Sequence, residues 1–309
     1  MRQRGLGDVQ LLRGPGEGAG VDHGDQVLEL SERCHAGSMH AVYGSGEEQA
    51  LDAWEGPGEG GGVPERRSSP MSETLAGRRV LVVGAGSRTG RAVAHAASAA
   101  GAELVLAGPD PRKLEWTAGE LAGPSAVLPV DLTDEASIEA LAAGAGRLDH
   151  LVSTAGMPAN GPLKDLELAD VRRAFDAKVI GPLLLAKHLA GQFADGGSMT
   201  FFSGVAAWRP APARTVMATT NGALAFLVQA LAVELAPLRV NAVSPGIVDT
   251  GSWDGLGAGK DEFLRQVAAR NPARRVGAPE DLVKAVLYAI DNPYVTGTVL
   301  HVDGGGRLA

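Results

Sequence analysis

The sequence predicts an α/β fold of the doubly wound kind: one domain built on a parallel sheet with helices on both faces. Three observations carry that expectation. Short β-branched-rich runs alternate with helical stretches from Arg79 to the C-terminus. Several of those runs are continuously apolar rather than alternating, as strands covered on both faces are. The first run passes through Val83-Gly84-Ala85-Gly86-Ser87-Arg88-Thr89-Gly90, a strand that enters a helix by a glycine-rich turn.

The elements follow in order. Arg79–Val83 is a β-branched-rich run ended by Gly84, and a helix starts near Gly90. Further apolar runs at 103–107, 127–130, Leu148–Ser153, 199–203, 240–243 and Val299–Val302 read as the remaining strands. Helices are expected over 166–194, 216–235 and Pro279–Asp291.

Composition bounds the rest. The 309 residues are 45% apolar and 21% charged, enough for a large buried core in one or two domains. Residues 1–70 hold 15 of the 43 glycines and 12 acidic against 6 basic groups. Stretches such as Gly14-Pro15-Gly16-Glu17-Gly18 bury too little apolar surface to offset chain entropy. Residues 1–70 are therefore expected to form a disordered acidic extension, with a regulatory tail as the alternative, and 71–309 the folded domain. Met71-Ser72-Glu73 reads as a natural start just before the first strand. The remaining residues carry 24 acidic and 22 basic groups, so nothing marks a nucleic-acid footprint. A single cysteine, Cys34, excludes an internal disulfide and a cysteine-rich zinc site, and no metal site is expected. No apolar run approaches the roughly 20 residues of a membrane span, and the N-terminus lacks a signal-like apolar stretch. The expected location is cytoplasmic, without a membrane partner.

Glycines at Gly84, Gly86 and Gly90 let backbone approach a pyrophosphate, whose charge is held by the N–H groups opening the helix, with Ser87, Arg88 and Thr89 between them. Tight turns without a nucleotide use the same glycines. Over residues 77–306 the chain resembles the short-chain dehydrogenase/reductase family, on a Rossmann-type fold. The resemblance rests on this turn and on Asp131-Leu132, at the family's adenine-contacting acidic position. It rests also on Ser153-Thr154-Ala155-Gly156, where the family has Asn-Asn-Ala-Gly, and on Arg239-Val240-Asn241-Ala242-Val243-Ser244-Pro245-Gly246. Pro279-Glu280-Asp281-Leu282 and Val302-Asp303-Gly304-Gly305 complete the ordered match. The resemblance implies a nicotinamide cofactor contacted by Thr154, Ala155, Gly156, Pro245 and Gly246. Ile247 and Thr250 then stand near the carboxamide and phosphates.

The family's reaction uses an Asn, a Ser, a Tyr and a Lys, and here all four are replaced. Aligning Asn221-Gly222-Ala223-Leu224 with the family's Lys-Ala-Ala-Leu puts Asn221 at the Lys position, Met217 at the Tyr position and Gly204 at the Ser position. Lys178 falls at the Asn position. No change of register restores a Tyr-Lys pair: the tyrosines are Tyr43, Tyr288 and Tyr294, and no lysine lies between Lys187 and Lys260. Without an acid, hydride attack on a carbonyl leaves an alkoxide that nothing neutralises. Lys and Asn look exchanged, so Lys178 is the candidate to bind the cofactor ribose or a substrate oxyanion; an ion-paired helix lysine is the bland alternative. Ser203, one residue before the usual serine, either bonds a substrate or satisfies a strand-end backbone group.

The end of the second strand, Gly108-Pro109, carries neither the acidic mark of NAD nor the arginine of NADP. Arg88 is placed to reach a 2′-phosphate, which tips the expectation from NAD toward NADP. The function expected is an atypical NAD(P)-dependent oxidoreductase acting on a small carbonyl, alcohol or enone by an altered proton path. The alternatives are a non-redox cyclase, isomerase or dehydratase using Lys178, Ser203, Trp208 and Arg209, or a catalytically silent nucleotide-binding protein. Trp208, Trp253 and the loop after Gly156 are expected on the substrate side, where scarce charge would suit an apolar substrate. Broad apolar faces on helices 166–194 and 216–235 imply, by the resemblance, a homodimer or homotetramer.

Overall fold

In the computed structural model, which describes residues 75–309, the strands are β1 (Arg79–Val83), β2 (Glu103–Gly108), β3 (Ser125–Pro129), β4 (Leu148–Ser153), β5 (Phe193–Phe202), β6 (Arg239–Pro245) and β7 (Val299–Val302). They form one parallel sheet in the order β3-β2-β1-β4-β5-β6-β7. Val80 pairs with Leu104 on one side and His150 on the other, so β1 is central. The chain winds outward from β1 to β3, then crosses back to β4. That reversal opens a crevice at the carboxyl ends of β1 and β4, where ligands of such sheets bind.

The two-residue side-chain period divides the core into two layers. Val80, Val82, Leu104 and Leu106 pack under helices α1 (Arg88–Ala99) and α8 (Pro279–Asp291), meeting Val93, Ala97, Leu282 and Val286. Leu81, Val83, Val105 and Leu151 face the other way. There they meet Ile138 and Leu141 of α3 (Glu135–Ala145), Leu185 and Leu189 of α5 (Gly181–Leu189), and Leu224 and Val228 of α6 (Thr215–Glu234). Burying each such Leu or Val contributes roughly 1.5–3 kcal/mol. Capping side chains fix the strand-to-helix turns. Ser87 accepts from the Gly90 N–H at 3.0 Å, Asp110 from Arg112 at the start of α2 (Pro111–Gly119) at 3.1 Å, and Asp134 from Ala136 at 3.0 Å.

Four expectations are corrected. The helix expected over 166–194 is α4 (Leu168–Phe175), one π turn (Asp176–Ile180) and α5, closing in a 3-10 turn at Gln192. Pro182 explains the widening: it has no N–H to give the Lys178 carbonyl four residues back, and its ring crowds that oxygen. Phe193 already pairs with Leu148, so β5 begins six residues earlier than its apolar pattern implied. On the edge, β3 starts at Ser125, earlier than the apolar run at 127–130. Finally, one helix among the described residues is long and apolar enough to cross a membrane by length and composition, namely α6. Its Leu224, Val228 and Leu231 are buried in the core. The expected extension over 1–70, with Cys34 and Tyr43, lies outside the described residues.

Candidate active site

Two hollows lie side by side along the carboxyl ends of the strands, of about 290 Å³ and about 1020 Å³. They share a wall made by Ser87, Thr154 and Gly156. The smaller reaches from the glycine turn to Asp131, and the larger from the same turn past Lys178 to the loops after β5 and β6.

The turn is built for close approach. Gly84 has φ +85°, and a Cβ there would stand 2.6 Å from the Thr154 hydroxyl. Thr154 is fixed by its N–H, which donates to the Val83 carbonyl at 2.9 Å. Gly90 does something other than line a hollow: a Cβ on it would lie 2.1 Å from the Gly84 carbonyl oxygen. Its missing side chain lets helix α1 press against the turn. Asp131 and Leu132 line the smaller hollow with Ala155. One Asp131 oxygen accepts from the Thr133 N–H and hydroxyl at 2.9 and 2.8 Å, so the residue serves a turn as well as the wall.

At the inner end of the larger hollow stands Lys178, carried inward by the π turn and only 7% exposed. Its ammonium has one weak partner, the Ser203 carbonyl at 3.5 Å, and lies over Gly156, where a Cβ would come within 3.3 Å of Nζ. Burial pushes its pKa down from 10.5 to about 8. The Ser203 hydroxyl donates to the Asn221 main-chain carbonyl at 2.9 Å, so it is engaged with backbone. Asn221 is buried with its side-chain oxygen unpartnered, and a Cβ on Gly204 would meet its Nδ2 at 2.9 Å. The glycine at the serine position and the asparagine at the lysine position therefore fit as a pair. Met217 lines the same wall.

Pro245, Gly246, Ile247 and Thr250, the residues expected at a nicotinamide, line the larger hollow, as does Thr89. Gly246 is held against the C-terminal segment, where a Cβ would sit 2.6 Å from the Asp303 Cα. Two expectations fail. Arg88 lines the larger hollow, its guanidinium lying beside Gly251 and donating to Asp254 at 3.0 Å, away from Asp131 and the end of β2. Lys113, which sequence reasoning passed over, lines the smaller hollow with Gly86 and Gly108. Trp208 packs edge-on against His301, whereas Trp253 does reach the wall. A second group was also missed: Glu135, Glu139 and His188 bring metal-ligating atoms within 4.8 Å of one another. They line neither hollow, and the Lys187 ammonium already donates to Glu135 at 2.7 Å.

Comparison with known proteins fixes the class. The family profile described as enoyl-(acyl carrier protein) reductase matches residues 84–306. A curated relative, the short-chain dehydrogenase/reductase malC of Malbranchea aurantiaca, is 33% identical over 265 residues, covering 80% of this chain and 99% of the relative. The chain belongs to the short-chain dehydrogenase/reductase family, a family of oxidoreductases. Among solved structures, the MalC reductase/Diels-Alderase of that organism matches with TM-score 0.73 at 30% identity, covering 78% of this chain and 100% of that one. A small-chain dehydrogenase in complex with NADPH matches with TM-score 0.63 at 33% identity, covering 75% and 99%.

Proposed function

We propose that this chain is an NADP(H)-dependent reductase in which Lys178 takes over the proton-handling of the missing tyrosine. The observation that carries the reading is the Lys178 ammonium, buried at the inner end of the larger hollow with no carboxylate partner among the described residues. The residues fit a dinucleotide. The glycine turn and α1 N–H groups suit a pyrophosphate, Asp131 and Leu132 an adenine, and Thr154, Ala155, Gly156, Pro245, Gly246, Ile247 and Thr250 the nicotinamide half. The unpartnered Asn221 oxygen suits a ribose hydroxyl. Lys113 lines the smaller hollow, its ammonium 4.0 Å from Asp110, and is better placed than Arg88 to meet a 2′-phosphate, which supports NADP over NAD.

When bound, the nicotinamide supplies hydride. As the electron pair of a carbonyl or enone moves onto the substrate oxygen, the Lys178 ammonium stabilises the charge and gives up a proton. The neutral amine regains it from water entering the hollow. Ser203, tied to the Asn221 carbonyl, holds the floor beneath it. The protein works in the cytoplasm as a homodimer or homotetramer.

The test is NADPH consumption against a panel of ketones and enones. Lys178→Met should lower kcat at least about a hundredfold, the usual weight of a positioned acid. Wild-type kcat should fall as pH rises past about 8, where the ammonium is lost. Lys178→Met with full activity contradicts the reading. The fourfold replacement, and a relative described as a reductase/Diels-Alderase, favour a second reading: non-redox chemistry or silent binding in the same hollow. NADPH binding with no turnover of any carbonyl is its signature.

A further inference from the structure

We infer that the substrate carries an anionic group, a carboxylate or a phosphoryl group, bound by Arg209 and Arg270 at the outer end of the larger hollow. The inference rests on the reading above only in taking the Lys178 end as the reacting end. Among the described residues, five cationic side chains line this hollow (Arg88, Lys178, Arg209, Arg214 and Arg270), and no Asp or Glu does. Arg88 is paired with Asp254, and Lys178 lies at the inner end. The other three guanidinium groups have no carboxylate partner among the described residues, whereas the nearby Arg275 and Arg307 are paired with Asp281 and Asp303.

Arg209 and Arg270 come from distant segments and line the same hollow. Arg209, in the loop after β5, donates to the Gly306 carbonyl at 2.9 Å, which holds its fork in place and leaves other N–H groups free. Arg270 ends α7 (Lys260–Arg270), and the next residue, Asn271, packs against the same Gly306, where a Cβ would come within 3.0 Å of its side-chain oxygen. Arg214 faces the hollow just before α6, behind Ala213. Ala213 is held at φ +61° with its carbonyl accepting from the Gly161 N–H at 3.0 Å. A non-glycine residue in this conformation is strained, and such strain gathers at binding sites. Apolar side chains also line the hollow, among them Met217, Trp253, Phe263 and Val267. Unpaired cations beside an apolar wall raise the local potential and draw an anion. Guanidinium forks match carboxylate and phosphate oxygens two at a time. The substrate is thus an apolar body with an acidic end, in place of the apolar substrate that scarce charge suggested.

The test is calorimetric titration of the full chain, with and without saturating NADPH, using octanoate, octyl phosphate and octan-1-ol as probes. At least one acid should bind about tenfold or more tighter than octan-1-ol, about 1.4 kcal/mol, and added salt should weaken it. Arg270→Gln, which removes no hydrogen bond, and the double variant R209Q/R270Q should erase that preference. Arg265→Gln, on the same helix but paired with Glu262, should keep it. A tighter octyl phosphate assigns a phosphoryl group; an equal or tighter octanoate assigns a carboxylate. Equal binding of acid and alcohol, a preference surviving R209Q/R270Q, or no binding of any probe at millimolar concentration overturns the proposal. If NADPH fails to bind while the chain still discriminates the acids, the cofactor reading falls and the anion site stands.

Discussion

Lys178 concentrates what is unusual about this site. Burial without a counter-charge depresses its pKa to about 8, so the ammonium is costly to keep in the folded chain. The sign follows from linkage. Below pH 8 both folded and unfolded states hold the proton, and the full penalty, roughly 3 kcal/mol, is present. Between about 8 and 10.5 the unfolded state binds more protons, so stability rises with pH. Lys178→Met should therefore raise the melting temperature at pH 7, by an amount that shrinks toward zero near pH 10.5. A melting-temperature difference that stays constant across this range, measured by differential scanning fluorimetry, counts against a buried ammonium. Lys178 and Asn221 could be singled out in the sequence because both stand beside short flanking motifs. The direction of Arg88 was not, since Asp254, which turns it, is 166 residues away.

At the scale of elements, the strands and the glycine turn were readable because their signals are local: apolar runs, and glycines where backbone crowds backbone. Gly90 is the sharpest case. A methyl group there would stand 2.1 Å from the Gly84 carbonyl oxygen, so Gly90→Ala must push α1 off the turn. That substitution should cost about 2 kcal/mol or more, in the range of overpacked cores, and abolish nucleotide binding. An unchanged denaturation midpoint contradicts the close approach. The π turn escaped the sequence reading because an apolar face alone does not report the N–H that Pro182 lacks. The early start of β5 escaped it because Asp195-Gly196-Gly197 interrupts the apolar run, and the ladder shifts register between Leu148 and His150.

Across the whole molecule, the large hollow is assembled from segments scattered from Ser87 to Gly306, and its charge could not be read from any one of them. Arg209, Arg214 and Arg270 share no motif; only the fold brings them to one wall. The outer surface bears on assembly. Phe226 and Val233, seven residues apart on one face of α6, are 73% and 81% exposed, and Leu183 of α5 is half-exposed. Such a face supports pairing of copies. F226E/V233E should reduce the mass seen by sedimentation to that of a monomer while leaving the melting temperature within a few degrees. A wild-type chain that sediments as a monomer contradicts the pairing.

On the reading proposed above, the turn, Asp131 and the Pro245-Gly246 stretch hold a nicotinamide cofactor without the usual reaction residues. This binding is tested most directly by titrating the full chain with NADPH and NADH, following nicotinamide fluorescence and melting temperature together. A ligand that binds only the folded state raises the melting temperature with its concentration. NADPH should bind at micromolar concentration and NADH more weakly, with about tenfold loss for NADPH alone in Lys113→Ala. No binding and no thermal shift with either nucleotide up to millimolar concentration would contradict it.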